Sequence, residues 1–187
     1  MKISLNILLS LIFLFPLPLL SPLLPSSSTP NDNAIVSLID QTCKRTPYED
    51  LCISSLTSNP NRSRAAGVKE LAGMVLDSVL LNATDTLAFT RLLIDRTIDP
   101  EVERPLDYCA ELYIPVVKFT VPQGRDAFYR GQYKFAEYCL TDAARQADAC
   151  EKMLPGSAVS PMGDRNRIFQ QLCSVAVAII DILSKDQ

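Results

Sequence analysis

An all-α fold, an up-and-down four-helix bundle with an N-terminal helical hairpin and two disulfides, is what this 187-residue sequence predicts. Three observations predict it. Beyond an apolar N-terminal run, hydrophobic residues recur at spacings of three and four, with almost no strand-type alternation. Short stretches rich in proline or glycine punctuate these periodic segments. All six cysteines follow the apolar run, and a secreted chain with an even count is expected to form disulfides.

Residues 1–28 read as a secretory signal peptide: Met1 and Lys2, an apolar run from Ile7 to Leu24, then Ser26, Ser27 and Ser28. The run is near the lower length limit for spanning a bilayer, but Pro16, Pro18, Pro22 and Pro25 oppose a continuous lipid-exposed helix. No Ala-x-Ala marks the cut, so cleavage is placed loosely between Ser21 and Pro30. Without residues 1–28 the chain has 17 basic and 21 acidic residues, a net charge of −4. That mildly acidic balance argues against nucleic acid and anionic lipid as main partners. The remaining length suits one domain, and no second domain is expected after it.

Residues 33–57 are expected to form the hairpin, from the apolar stretch Ile35, Val36, Leu38 and Ile39, a turn at Thr46-Pro47, and Leu51 to Leu56. Isolated helices shorter than ~12 residues are marginal in water. Cys43 and Cys52 flank the turn, and closing so small a loop is worth about 3 kcal/mol in the chain-entropy model.

The bundle is expected over residues 63–184. Its first helix runs from about Ser63 to Thr97 on the rows Leu71, Val75, Val79 and Ala72, Leu76, Ala83, Leu87, and Pro100 ends it. The second starts near Glu101 and buries Leu106, Cys109, Leu112, Tyr113, Val116 and Val117. Pro115 and Pro122 fall inside it, each removing a hydrogen bond, so a kink or break is expected, placed at Pro122-Gln123-Gly124. Gly131 closes this element in a left-handed cap. From Tyr133 the positions Ala136, Leu140, Ala143, Ala147, Cys150 and Leu154 trace the seam of the third helix, whose alanines allow close approach. After Pro155-Gly156-Ser157 and Pro161, the last helix carries Ile168, Leu172, Val175, Ile179 and Ile182 on one stripe.

Cys139 and Cys150 lie eleven residues apart on one helix, about 16 Å along its axis. A disulfide needs α-carbons within about 7 Å, so these two do not pair. If the second and third helices are antiparallel neighbours, Cys109 near the start of one meets Cys150 near the end of the other. That link would close a loop of about 42 residues, worth about 4 kcal/mol. Cys139 and Cys173 then either pair or stay as buried thiols, and free thiols are the expectation. Two sequons, Asn61-Arg62-Ser63 and Asn82-Ala83-Thr84, suit a secretory route as possible N-glycosylation sites.

The residues offer little chemistry of their own. The chain has no histidine, no Gly-x-Ser-x-Gly and no phosphate-binding glycine loop, so no catalytic residue, metal or cofactor is expected. Asp95, Asp99, Glu101 and Glu103 cluster, but at a helix end and the next helix start, where acidic residues complement the helix dipole. A lipid or small-ligand carrier is the competing class. It would need a central cavity, against which the alanine seam argues.

The hairpin Thr42-Cys43-Lys44-Arg45-Thr46-Pro47-Tyr48 with Leu51-Cys52, the segment Leu106-Asp107-Tyr108-Cys109-Ala110-Glu111-Leu112-Tyr113, the run to Ala149-Cys150-Glu151, and Asp164-Arg165-Asn166-Arg167 together resemble the plant invertase and pectin methylesterase inhibitor family. The resemblance spans roughly Ile35 to Leu183. It implies an enzyme-inhibiting helical bundle that does no catalysis, with disulfides Cys43–Cys52 and Cys109–Cys150; Cys139 is additional to the family pattern, whereas a thiol like Cys173 is common in it. Its targets would be proteins, either acid invertases, which hydrolyse sucrose, or pectin methylesterases, which de-esterify pectin. The place of action would be the apoplast, cell wall or vacuole, with no nucleic acid and no membrane as partner after signal cleavage.

Invertase inhibitors of this group tend to carry Pro-Lys-Phe followed by Ala-Glu at the start of the third bundle helix. The matching stretch here is Tyr133-Lys134-Phe135-Ala136-Glu137, which makes Tyr133, Lys134 and Phe135 the expected target-binding residues. A sucrose-cleaving glycosidase keeps a carboxylate pair in its pocket, so a cation beside an apolar plug suits it. Tyr133 in place of the motif's proline removes a fixed dihedral. Since pectin methylesterase inhibitors can also carry Gly-x-Tyr here, that enzyme stands as the alternative target to an acid invertase bound in a 1:1 complex.

Overall fold

The structure, a computed structural model, describes residues 30–59, 67–154 and 160–185. The predicted signal peptide, Asn61 and the Pro155-Gly156-Ser157 link lie outside the described residues. Among the described residues there are seven α-helices: α1 (Pro30–Cys43), α2 (Glu49–Thr57), α3 (Val68–Arg96), α4 (Pro100–Pro115), α5 (Val121–Tyr129), α6 (Tyr133–Met153) and α7 (Gly163–Lys185). Helices α4 and α5 are joined without a break by a π-helical segment, Val116–Thr120, so they form one rod. The four rods α3, α4–α5, α6 and α7 make the bundle.

Helices α1 and α2 form the hairpin. Ile35, Ile39 and Cys43 repeat every four residues on the buried side of α1, and Cys52 and Leu56 do the same on α2. Thr46 closes the turn by donating from its backbone N–H (2.9 Å) and its hydroxyl (2.8 Å) to the Cys43 carbonyl. Cys43 is disulfide-bonded to Cys52 with α-carbons 5.5 Å apart. Helix α2 lies against α3 and α7, which ties the hairpin to the bundle.

Helix α3 buries the predicted rows, including Leu71, Val75, Val79, Leu76 and Ala83. Both α3 and α7 are long and apolar enough to cross a membrane by length and composition, yet their apolar stripes face the bundle core. Asp99 then caps α4, its side chain accepting from the Glu101 N–H at 3.0 Å, with Pro100 in the first turn. The acidic cluster around residue 99 thus supplies a cap and first-turn charges.

The distortion in the second rod falls upstream of the position the sequence suggested. Pro122 sits in the first turn of α5, and the chain remains helical through Gln123 and Gly124. The irregularity is the π segment before it, where the Val121 N–H bonds the Val116 carbonyl, five residues back. A proline ring clashes with the carbonyl four residues earlier, here Lys118, and a widened turn around that residue relieves the clash without ending the helix.

The rods pack closely where small residues permit. Ala136, Ala143 and Ala147 on α6 are fully buried, and a side-chain carbon placed on Gly124 of α5 would come within 2.9 Å of the Cys139 Cβ on α6. Cys109 and Cys150 join α4 to α6 with α-carbons 4.7 Å apart. Cys139 and Cys173 are buried free thiols. The axis is filled by Tyr113, Phe128, Phe169, Leu71, Leu76 and Leu140, all fully buried.

One polar node crosses this core. The Tyr113 hydroxyl donates to Oδ1 of the buried Asn166 at 2.9 Å, and Nδ2 of Asn166 donates to Glu151 Oε2 at 2.7 Å. It links α4, α7 and α6 beside the Cys109–Cys150 bridge. Burial raises the Tyr113 phenol well above its ordinary value, keeping it a neutral donor.

Candidate functional site

The predicted contact motif lies at the α5–α6 turn, whose backbone is fully specified. Gly131 adopts φ +74°, its N–H bonds the Phe128 carbonyl (2.9 Å), and the Gln132 N–H bonds the Ala127 carbonyl (2.8 Å). This paired closure is a Schellman motif, and it needs a residue that tolerates the left-handed conformation. Helix α6 restarts at once, with the N–H groups of Phe135 and Ala136 both reaching the Gln132 carbonyl.

The three motif residues separate by direction. Tyr133 is only 7% exposed and packs on Phe128 with ring centroids 5.7 Å apart, so it anchors the turn from inside and does not offer its ring to a partner. Lys134 and Phe135, one and two steps further round the helix, point outward: the Lys134 side chain is 77% exposed and Phe135 is 49% exposed. Phe135 stacks on Tyr138, itself 61% exposed, at 6.3 Å and an interplanar angle of 16°.

Lys134 pairs with Glu137 at 3.0 Å, and that hydrogen bond is the main cause that raises its pKa. Asp181 at the end of α7 is held below the usual carboxylate range chiefly by its hydrogen bond to Lys185, with Lys134 and Arg45 of the hairpin adding to the effect. The turn of the hairpin, the start of α6 and the end of α7 therefore share one charged rim. Sequence reasoning did not include Tyr138, Arg45, Asp181 or Lys185 in this region. The three-residue step from Phe135 to Tyr138 on a helix was a legible signal for the aromatic pair, whereas nothing local in the sequence brings Arg45 near Asp181.

Among the described residues no group of three or more His, Cys, Asp or Glu side chains could hold a metal ion. The two bridges place Cys43, Cys52, Cys109 and Cys150 in structural roles. Asn82 lies within α3, half-buried.

The structure is a disulfide-stapled helical bundle that presents an outward Lys-Phe-x-x-Tyr edge at the α5–α6 turn. Comparison with known proteins gives the particular family: residues 37–179 match the plant invertase/pectin methylesterase inhibitor profile, and the chain belongs to that family. It is an inhibitor-type protein and not an enzyme. It is 34% identical over 143 residues to the "Cell wall / vacuolar inhibitor of fructosidase 1" of Arabidopsis thaliana, covering 76% of this chain and 67% of the relative. It is 36% identical over 156 residues to the "Cell wall / vacuolar inhibitor of fructosidase 2" of the same plant, covering 79% and 83%. A crystal structure of a mutant pectin methylesterase inhibitor from Arabidopsis superposes with a TM-score of 0.65 at 22% identity, covering 79% of this chain and 95% of that one, which shows the shared fold.

Proposed function

We propose that this protein is secreted to the apoplast or vacuole and inhibits an acid invertase, binding it 1:1 and occluding its substrate site with the α5–α6 turn. The observation that carries the reading is the outward pair Lys134 and Phe135 on a turn held by Gly131 and the buried Tyr133. The two relatives named as inhibitors of fructosidase support the choice of target. Lys134, itself 77% exposed, pairs with Glu137 three residues away, and an ion pair at the surface contributes little and is readily exchanged. A pocket carboxylate of a glycosidase can take the place of Glu137, while Phe135 supplies an apolar anchor of the type that dominates interfaces.

Tyr133 takes over what proline does in the motif. A buried ring in contact with Phe128 holds the first residue of α6, so the turn is ordered without a fixed proline dihedral. The alternative target is a pectin methylesterase, which the family description also covers.

A paired assay of the purified protein on an acid invertase and a plant pectin methylesterase tests the reading. Inhibition of the invertase is expected, and inhibition of the methylesterase alone would transfer the target. Inhibition of neither would sink the proposal. Lys134→Ala and Phe135→Ala are each expected to weaken invertase inhibition more than about tenfold with little change in Tm; equal potency would remove the turn from the interface.

A further inference from the structure

A cleft of about 530 Å³ opens between α2, α3 and α7, within the ~300–1,000 Å³ range of sites that accept small ligands. Its polar lining is rich in oxygen acceptors. Ser54, Ser55 and Ser78 each donate their hydroxyl proton to a carbonyl of their own helix, at 3.0, 2.9 and 3.0 Å, which leaves oxygen lone pairs as acceptors. Asp77, paired with Arg125 at 2.9 Å, and Asp85 add carboxylate oxygens, Asn59 and Asn82 add side-chain amides, and Oδ1 of Asn82 is buried without a hydrogen-bond partner. Leu51, Leu81 and Ile168 supply apolar surface.

A cleft rich in acceptors, with amide groups and apolar side chains beside them, suits a neutral ligand that brings O–H and N–H donors, an acceptor and a C–H face. The Asp85 carboxylate opposes an anion. An N-acetylhexosamine has these properties, and Asn82 opens the sequon Asn82-Ala83-Thr84 in a chain that begins with a predicted secretory signal. We propose that Nδ2 of Asn82 carries an N-linked glycan whose first N-acetylhexosamine lies in this cleft, bridging the hairpin to the bundle. The donor is an oligosaccharide on a lipid pyrophosphate. The bond from sugar C1 to the pyrophosphate oxygen breaks, the bond from C1 to Nδ2 forms, and the amide proton leaves with the released pyrophosphate. In the folded protein Ala83 is fully buried and the Thr84 hydroxyl is bonded to the Leu80 carbonyl, so transfer precedes the folding of α3.

The test uses full-length protein secreted from plant cells and the same mature chain made in bacteria and oxidised, each as wild type and as Thr84→Ala, which removes the sequon but keeps Asn82. The tryptic peptide Glu70–Arg91, which excludes the Asn61 sequon, is expected to carry a hexosamine-containing mass in the secreted wild type. The secreted wild type is expected to melt at least about 3 °C above secreted Thr84→Ala, with the bacterial pair melting together. An unmodified Glu70–Arg91 peptide overturns the site. A modified peptide with no Tm difference, or an equal difference in the bacterial pair, overturns the seating of the sugar in the cleft.

Discussion

Asn166→Asp perturbs the core node at one atom. In the wild type Nδ2 donates to Glu151 Oε2 at 2.7 Å, and the residue is buried between α4, α6 and α7. The substitution keeps shape and the acceptor for Tyr113 but puts an oxygen where the donor was. Two carboxyl groups then face each other at hydrogen-bond distance, one buried and the other, Glu151, half-buried. A lost hydrogen bond to a charged group costs about 1.5–3 kcal/mol, and a buried carboxyl that must hold its proton adds to it. A total near 3 kcal/mol corresponds to a fall in Tm of roughly 6–12 °C for a domain of this size. The introduced carboxyl regains the bond by donating a proton to Glu151, so its folded pKa is raised above the unfolded value of about 4. Between those two pKa values the native state binds the extra proton, and stability falls as pH rises. The gap between Asn166→Asp and wild type should therefore be large at pH 7 and shrink towards pH 4.5, while Asn166→Ala, which regains no donor on acidification, keeps more of its gap. Thermal unfolding by circular dichroism at both pH values measures it. A gap under about 2 °C at pH 7, or one unchanged on acidification, would refute the claim that this node is a buried, fully engaged network.

Gly124→Ala should destabilise by about 1–3 kcal/mol because its new carbon meets the Cys139 Cβ at 2.9 Å, and adding Cys139→Gly should cost less than the two single changes summed, as read by denaturant unfolding. Gly131→Ala has open space around its new carbon, so its expected cost of about 1–2 kcal/mol is backbone strain alone at φ +74°, seen as a lower Tm together with weaker enzyme inhibition. Lys134 has its pKa raised above the ordinary 10.5, so it stays charged below that pH; any loss of potency measured between pH 7 and 4 should come from carboxylates and should be much smaller in Lys134→Ala.

The helical stripes were legible because a core demands them. Ala136, Leu140, Ala143, Ala147 and Cys150 follow the helix period, and every one is buried. The disulfides were legible for a related reason: helix rise forbids Cys139–Cys150, and antiparallel packing brings Cys109 to Cys150. The proline effect was legible in kind but not in place. A ring clash states that the helix must adjust near Pro122, and the adjustment is a π turn at Val116–Thr120, with the helix continuing through Gly124. Tertiary partnerships left the least trace. Asn166 reads as one polar residue in a charged run until Tyr113 and Glu151 are brought to it from two other helices, and the inward turn of Tyr133 depends on Phe128 of the preceding helix.

The residues of the α5–α6 turn fall into two sets, and on the proposed contact role of this turn that division bears on how one bundle can serve different targets. Gly131, Tyr133 and Ala136 answer to the core and the backbone: one closes the Schellman turn, and the other two are buried. Lys134, Phe135 and Tyr138 answer to solvent, since each is exposed. Changes in the second set leave core packing intact and stability nearly unchanged. Changes in the first set displace the whole edge at once. On the proposed contact role, the bundle and its staples can be kept while the outward positions vary, because specificity is a difference in contact energy between targets.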